Sequence, residues 1–335
     1  MLTLIAGGAG FVGLNVAEQL LARGEEVVIF GPDQPPTIAL RAFSRLPGKL
    51  HVVQGDVCNA GDLDAALGKH QVSRLVNAAA ITADAAREQH SARKIFEVNL
   101  LGTIEVLEAA LRHRLTRVLQ VGTGSIFGAA GAVDEAPDGL DEQKSPVLPQ
   151  SMYGISKFAA ERVALRYRET RQLDVTVVRL GMVFGRWEYD TGVRDTLSMS
   201  LQTFLAAQRG EEVVLHAEAA DDWVYSVDVA RGLIAVLDAA NLPEPLYHLS
   251  AGRRWPIGEW CERLQQRFPQ FKYRLSDQLA ECTLGRNKAK RRAIMNIARL
   301  RRDTGYEPAF LPDQAFDDYL AWTTAVAAKE TENPS

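Results

Sequence analysis

The sequence predicts an α/β fold, a doubly wound parallel sheet covered by helices on both faces, and three observations predict it. The chain opens with a strand, a glycine-rich turn and a helix: Leu2-Thr-Leu-Ile-Ala6, then Gly7-Gly-Ala-Gly10-Phe-Val-Gly13, then Leu14-Asn-Val-Ala-Glu-Gln-Leu-Leu21. Strands alternate with helical stretches as far as Leu180. The strands are near-continuous apolar runs, as expected of strands buried on both faces.

In order, Glu26-Val-Val-Ile-Phe30 is the second strand, ended by Gly31-Pro32, and Leu50-His-Val-Val-Gln54 is the third, closed by Gly55-Asp56. The fourth is Arg74-Leu-Val-Asn-Ala-Ala-Ala80 and the fifth Arg117-Val-Leu-Gln-Val121, with a long helical pattern between them, roughly Ala92 to Arg112. Tyr153 to Thr170 reads as another helix and Val175-Thr-Val-Val-Arg179 as the sixth strand, and after Gly185 the rhythm loosens. The expected organisation is a Rossmann sheet over residues 1–180 and a smaller, mostly C-terminal substrate-binding lobe over 181–328. Some segments of that lobe are expected to return to the sheet, and residues 329–335 to form a flexible tail. Ligands of such sheets lie beyond the carboxyl ends of the strands, so the turns after Ala6, Gln54, Ala80, Val121 and Leu180 are expected to share one cleft.

The glycines set what the cleft holds. Gly8, Gly10 and Gly13 satisfy the dinucleotide spacing, and Gly7, Gly10 and Gly13 a second, three-residue spacing. Such a turn lets a pyrophosphate approach the backbone and a helix pack on a strand, while the helix start offers unpaired N–H groups to the phosphates.

Composition narrows the class. With 335 residues, 47% hydrophobic and 24% charged, the chain has ample length for a core. Its net charge of −4 gives no general attraction to nucleic acid or an anionic membrane. Cys58, Cys261 and Cys282 are few and far apart, and the histidines fall singly. Neither a disulfide framework nor a metal site is expected, and a cytoplasmic setting is the default. No apolar run approaches a membrane span. The basic run Arg286–Arg292 lacks interleaved aromatics and reads as a solvated or phosphate-edge segment. Trp255, Trp260 and Trp322 read as core, and Trp223 as a wall of the cleft.

Tyr153-Gly-Ile-Ser-Lys157 supplies the chemistry. Positions four apart share a helix face, so Lys157 lies one turn from Tyr153. A tyrosine of ordinary pKa, about 10, is a poor base near neutrality, and a neighbouring ammonium favours its phenolate. Such a phenolate removes a hydroxyl proton as hydride leaves the same carbon, and the phenol returns it in reverse. Thr123-Gly-Ser125, just after the fifth strand, offers a hydroxyl to orient the substrate oxygen.

On these residues the chain resembles the extended short-chain dehydrogenase/reductases, the NAD-dependent epimerase/dehydratase family, from Leu2 to about Trp322. The resemblance implies a catalytic triad of Thr123, Tyr153 and Lys157, with NAD as cofactor. Cofactor contacts would come from Gly7, Gly10, Phe11 and Val12 in the opening turn, and from Asp56 and Val57 in Gly55-Asp-Val57. Ala78, Ala79 and Ala80 of Asn77-Ala-Ala-Ala80 would line phosphates and ribose, and Asn99 would support the nicotinamide ribose and the helix geometry. Tyr153 and Lys157 would also touch the cofactor, with Leu180 and Val183 of Arg179-Leu-Gly-Met-Val-Phe-Gly185. Thr82 and Ser125 would face substrate, and a homodimer built by the helices near Ala92–Arg112 and Tyr153–Thr170 is implied.

Departures from the family pattern shape the functional expectation. Gly31 stands where an acidic residue usually binds the adenosine ribose; Asp33 reaching back would give NAD, and NADP stays possible through Arg41. Met182 and Asp221 stand where enzymes of nucleotide-diphosphate sugars usually carry asparagine and arginine. An aspartate facing a diphosphate repels it by about 1 kcal/mol at close range even in a wet cleft, so a nucleotide sugar is not expected. Gly124-Ser125 replaces the Asp-Glu of the dehydratases, which argues against dehydration. Arg194, with Arg186 as a second candidate, is expected to grip a substrate carboxylate or polar oxygen; a surface loop with solvated arginines is the alternative. The leading expectation is an NAD(P)-dependent oxidoreductase of a small sugar, sugar acid or polyol, with a sugar epimerase and a non-catalytic NAD(P)-binding regulator as rivals.

Overall fold

Both faces of every central strand are buried, and that explains the continuous apolar runs. The computed structural model describes residues 1–136, 138–192, 197–285 and 292–331, the last five as backbone only. The strands are β1 (Leu2–Ala6), β2 (Glu26–Gly31), β3 (Lys49–Gln54), β4 (Arg74–Asn77), β5 (Arg117–Thr123), β6 (Val175–Leu180) and β7 (Met182–Phe184). They continue as β8 (Glu212–His216), β9 (Ala220–Asp221), β10 (Trp223–Tyr225), β11 (Leu246–Leu249), β12 (Trp255–Pro256) and β13 (Lys272–Ser276). The helices are α1 (Phe11–Ala22), α2 (Thr37–Phe43), α3 (Ala60–His70), α4 (Ala85–Phe96), α5 (Gly102–Arg112) and α6 (Met152–Arg171). After them come α7 (Met199–Arg209), α8 (Ser226–Asp238), α9 (Ile257–Arg267), α10 (Ala298–Thr304) and α11 (Pro312–Thr331).

Seven strands form one sheet in the order β11-β6-β5-β4-β1-β2-β3. Each neighbouring pair is parallel. Side chains alternate between two cores: Ile5, Val27 and Ile29 pack with α1 and α8 on one face, and Leu4, Val28 and Phe30 with α3 and α5 on the other. The strand order reverses between β1 and β4, and a crevice opens there at the strand ends.

Three features differ from the sequence reading, the first being that β4 ends at Asn77, three residues short of the expected Ala80. The helix expected from Ala92 begins at Ala85, capped by the Asp84 carboxylate accepting from Arg87 N at 2.9 Å. Its first turns, Arg87-Glu-Gln-His90, carry no apolar periodicity, so pattern alone does not reveal them. It then widens into a π-helical turn, Glu97–Leu101, before α5. At the other end, α11 runs on to Thr331 through Ala-Val-Ala-Ala, so the first residues of the expected tail are helical.

Beyond β6 the chain makes three two-stranded pairs, β7 with β10, β9 with β12, and β8 with β13. Phe184 centres an aromatic cluster with Trp223, Tyr225, Trp255 and Trp260 at centroid distances of 5.3–6.2 Å. Trp255 and Trp260 are thus core, as expected, and Trp322 packs edge-on against Trp187. Among the described residues, no helix is long and apolar enough to cross a membrane.

Candidate active site

The glycine-rich turn is shaped by close approach. Gly7 has φ +71°, and a Cβ there would lie 2.7 Å from the Ala79 backbone. At Gly13 a Cβ would lie 2.5 Å from the Gly7 carbonyl oxygen, so only glycine lets α1 sit this close to the turn. Gly10 caps α1 without a side chain, and the helix opens into the cleft with its first N–H groups and positive dipole end. That arrangement fits a dinucleotide pyrophosphate.

The turns after β1, β3, β4, β5 and β6 meet in one cleft of about 1460 Å³. Sheet order sets its axis. Asp33, Asp56 and Val57 line the side under β2 and β3, and Gly7, Gly10, Phe11 and Val12 the middle. Ala78, Ala79, Ala80 and Thr82 follow β4, and Thr123, Ser125, Tyr153, Lys157, Leu180 and Val183 stand at the β5–β6 side. The Asp56 carboxylate accepts from Cys58 N at 2.9 Å and lies 3.9 Å from Lys94 Nζ, which also borders the cleft.

Tyr153 and Lys157 lie a turn apart on α6, whose N-cap Ser151 accepts from Gly154 N at 3.0 Å. Lys157 Nζ donates to the Val121 carbonyl at 2.7 Å. Burial pulls the Lys157 ammonium down to about 8, and Glu161 one turn on opposes the shift. The Thr123 hydroxyl accepts from Ser125 N at 3.1 Å and donates to Ser125 Oγ at 3.2 Å, so the two hydroxyls act as a pair.

Two sequence-based candidates stand elsewhere. Asn99 is fully buried behind the wall. Its carbonyl accepts from Ile81 N at 2.8 Å, and its amide donates to Ile81 O and Ser156 Oγ at 3.0 Å each. It braces the loop after β4 against α6 instead of meeting the cleft, and the π-helical turn is what aims it inward. Arg186 faces Asp318, with Nε donating to Oδ2 at 2.9 Å, so its guanidinium is committed to α11. Arg194 lies outside the described residues.

Other lining residues carried no motif. Gln202 enters from α7, and Tyr189 from the loop after β7. Trp223 walls the cleft as expected. Arg292, the last residue of the basic run, also reaches the cleft, because its backbone bridges Ala132 and its N–H lies 3.4 Å from Asp221 Oδ1. Burial pulls the Arg292 guanidinium below its usual range, and the charges of Asp221 and Tyr153 oppose this. The signal for Arg292 was the switch from basic residues to Ala-Ile-Met, which seats the run's end against the body.

The sequence matches the model of the NAD dependent epimerase/dehydratase family over residues 3–250. The chain belongs to this family. Its members depend on NAD, and the protein is an enzyme of the extended short-chain type. A dTDP-glucose 4,6-dehydratase of Streptomyces niveus is 27% identical over 280 residues, covering 79% of this chain and 76% of that one. Among solved structures, a dTDP-glucose 4,6-dehydratase from Bacillus anthracis in complex with NAD superposes with a TM-score of 0.77 at 21% identity, covering 97% of both chains. A UDP-glucose 4-epimerase of Thermotoga maritima with UDP-glucose gives 0.76 at 18% identity, covering 97% of this chain and 100% of that one.

These relatives overturn the expectation of a small substrate other than a nucleotide sugar, and with it the simple oxidoreductase reading: by name they are nucleotide-sugar dehydratases and an epimerase. Asp221 is not a lone charge. In the fold it is largely buried beside Arg292, so a diphosphate would meet a compensated pair.

Proposed function

We propose that the protein is an NAD-dependent epimerase of a nucleotide-diphosphate sugar. One observation carries this reading. Tyr153, Lys157 and the Thr123–Ser125 hydroxyl pair converge in a cleft of about 1460 Å³, with Gly124-Ser125 where a dehydratase would need two carboxylates. The cleft exceeds the roughly 300–1000 Å³ of a drug-sized ligand site, leaving room for a dinucleotide and a second ligand of similar size. The named relatives support the substrate class.

Tyr153 takes the proton of a ring hydroxyl held by Thr123, and Lys157 favours the phenolate that does so. The NAD that the Gly7–Gly10 turn, Asp33 and Lys157 would hold would supply the acceptor, and then the donor, of the hydride. The ketosugar would turn its other face beside Gln202 and Trp223, which line the same cleft, and Tyr153 returns the proton to complete inversion. Arg292, its charge offset by Asp221, offers N–H donors for the diphosphate, and Asp33 at the far corner favours a free ribose 2′-hydroxyl over a 2′-phosphate.

The test offers UDP- and dTDP-hexoses to the NAD-loaded enzyme and reads product stereochemistry alongside nicotinamide absorbance. An epimerised sugar without accumulated NADH is expected. A 4-keto-6-deoxy product, or stoichiometric NADH, would overturn the reading in favour of dehydration or net oxidation.

A homodimer is part of the same proposal. Leu101, Met152 and Ile155 are 38–51% exposed on the adjoining π-helical turn and α6, an apolar surface suited to a second copy of the chain.

A further inference from the structure

The loop after β7 is fastened to the dinucleotide turn, and the fastening lies where the cofactor's adenosine half would sit. The Tyr189 hydroxyl donates to the Ala9 carbonyl at 2.7 Å, in the middle of Gly7–Gly10. Both residues border the cleft, and so does Asp33. Burial, and then the Asp33 carboxylate, push the Tyr189 phenol up, so phenol and carboxylate share one corner.

The loop is held from behind. Asn15 Nδ2 on α1 donates to Arg186 O at 2.8 Å, and Trp187 Nε1 donates to Glu18 Oε2 on α1 at 2.8 Å. Arg186 pairs with Asp318, which also accepts from the Tyr225 hydroxyl at 2.5 Å. Trp187 adopts φ +64°, uncommon for a bulky residue, and is clamped edge-on by Phe43 at 5.4 Å and Trp322 at 5.1 Å. Backbone in that region persists where its surroundings over-determine it, and here they set the position of Tyr189.

We propose that residues 186–189 are a strap retaining the adenosine half of NAD, with Tyr189 as its binding residue at the ribose corner. This rests on NAD being the cofactor and is independent of which sugar reaction follows. Tyr189 lines the crevice, and its hydroxyl is tethered to the turn whose shape suits the pyrophosphate. For an enzyme that recycles its hydride, slow release is an advantage, since an NADH lost in mid-cycle strands a ketosugar.

The experiment follows NADH fluorescence as NADH-loaded enzyme is mixed with excess NAD, without sugar. Tyr189→Phe keeps the ring and removes the hydroxyl, and NADH should leave roughly two- to tenfold faster. Tyr189→Ala should leave it faster still. Reduced nicotinamide mononucleotide, which lacks the adenosine half, should bind wild type and Tyr189→Phe equally. Unchanged NADH release in Tyr189→Phe overturns the proposal, as does equal weakening of the mononucleotide. If Tyr189→Ala fails to fold, the phenylalanine variant still decides. Because no substrate is present, failure here is separate from failure of the epimerase reading.

Discussion

Lys157 Nζ donates to the carbonyl of Val121 at 2.7 Å, two residues before Thr123 on the same strand. The cation on α6 and the hydroxyl ending β5 are therefore held in fixed relation, with Tyr153 one turn of helix away.

That relation predicts a pH limb. Burial brings the Lys157 ammonium down to about 8, so the charge favouring the Tyr153 phenolate is present below that pH and lost above it. The kcat should fall as pH rises through about 8. Lys157→Met should be slow throughout and lack this limb; a wild-type limb surviving in the variant would assign it to another group.

Tyr153→Phe should lower kcat by about 10²–10⁴-fold while NAD affinity stays within about twofold. Single-turnover assays and a cofactor titration measure the two separately. Retained turnover would remove Tyr153 from the proposed role.

Most of this was legible because glycine and Tyr-x-x-x-Lys patterns are local. The first six strands and the turns that form the cleft follow from short apolar runs ending in Gly, Asp or Asn. What stayed hidden was relational. Nothing in the sequence shows that Asp221 and Arg292, 71 positions apart, become neighbours, or that Arg186 turns toward Asp318. Both depend on how the less regular second half folds back. Asn99 was visible as a residue, but its inward aim comes from a π-helical turn that no hydrophobic period announces.

Asp222, next to Asp221, accepts from Met295 N at 2.7 Å, and burial pushes its carboxyl up to about 6 from 3.8. The folded state thus binds this proton more tightly than the unfolded chain does. Its stabilising contribution is full below about pH 4 and is lost as pH rises through about 6, with a ceiling of about 3 kcal/mol. Asp222→Asn keeps an acceptor for Met295 and should flatten stability between pH 4 and 7, as urea unfolding at several pH values would read. An unchanged slope would contradict the assignment.

Arg179 on β6 and Glu161 on α6 form a bidentate ion pair, 2.7 Å at both contacts and almost wholly buried. Arg179→Met alone strands a buried carboxylate and should cost about 3–5 kcal/mol, while Arg179→Met with Glu161→Leu should recover most of it. Thermal unfolding of the three proteins tests this, and equal losses in the single and double variants would count against it.

Ile155→Glu places a charge on the exposed apolar face of α6 and should halve the mass measured by light scattering at micromolar concentration. If the mass of wild type is already that of one chain, the dimer proposal fails.

One strand changes how the molecule can be cut or made. β11 (Leu246–Leu249) pairs with β6, so the nucleotide-binding sheet borrows its outer staff from the second half of the chain. A fragment ending near residue 185 would bare the whole flank of β6, every residue of which is buried in the intact fold. On the ribosome the sheet stays open-edged until Leu249 has emerged, although the glycine turn was made more than 200 residues earlier. Expressing residues 1–185 and 1–251 side by side would show it: the shorter piece should aggregate where the longer one has its edge covered.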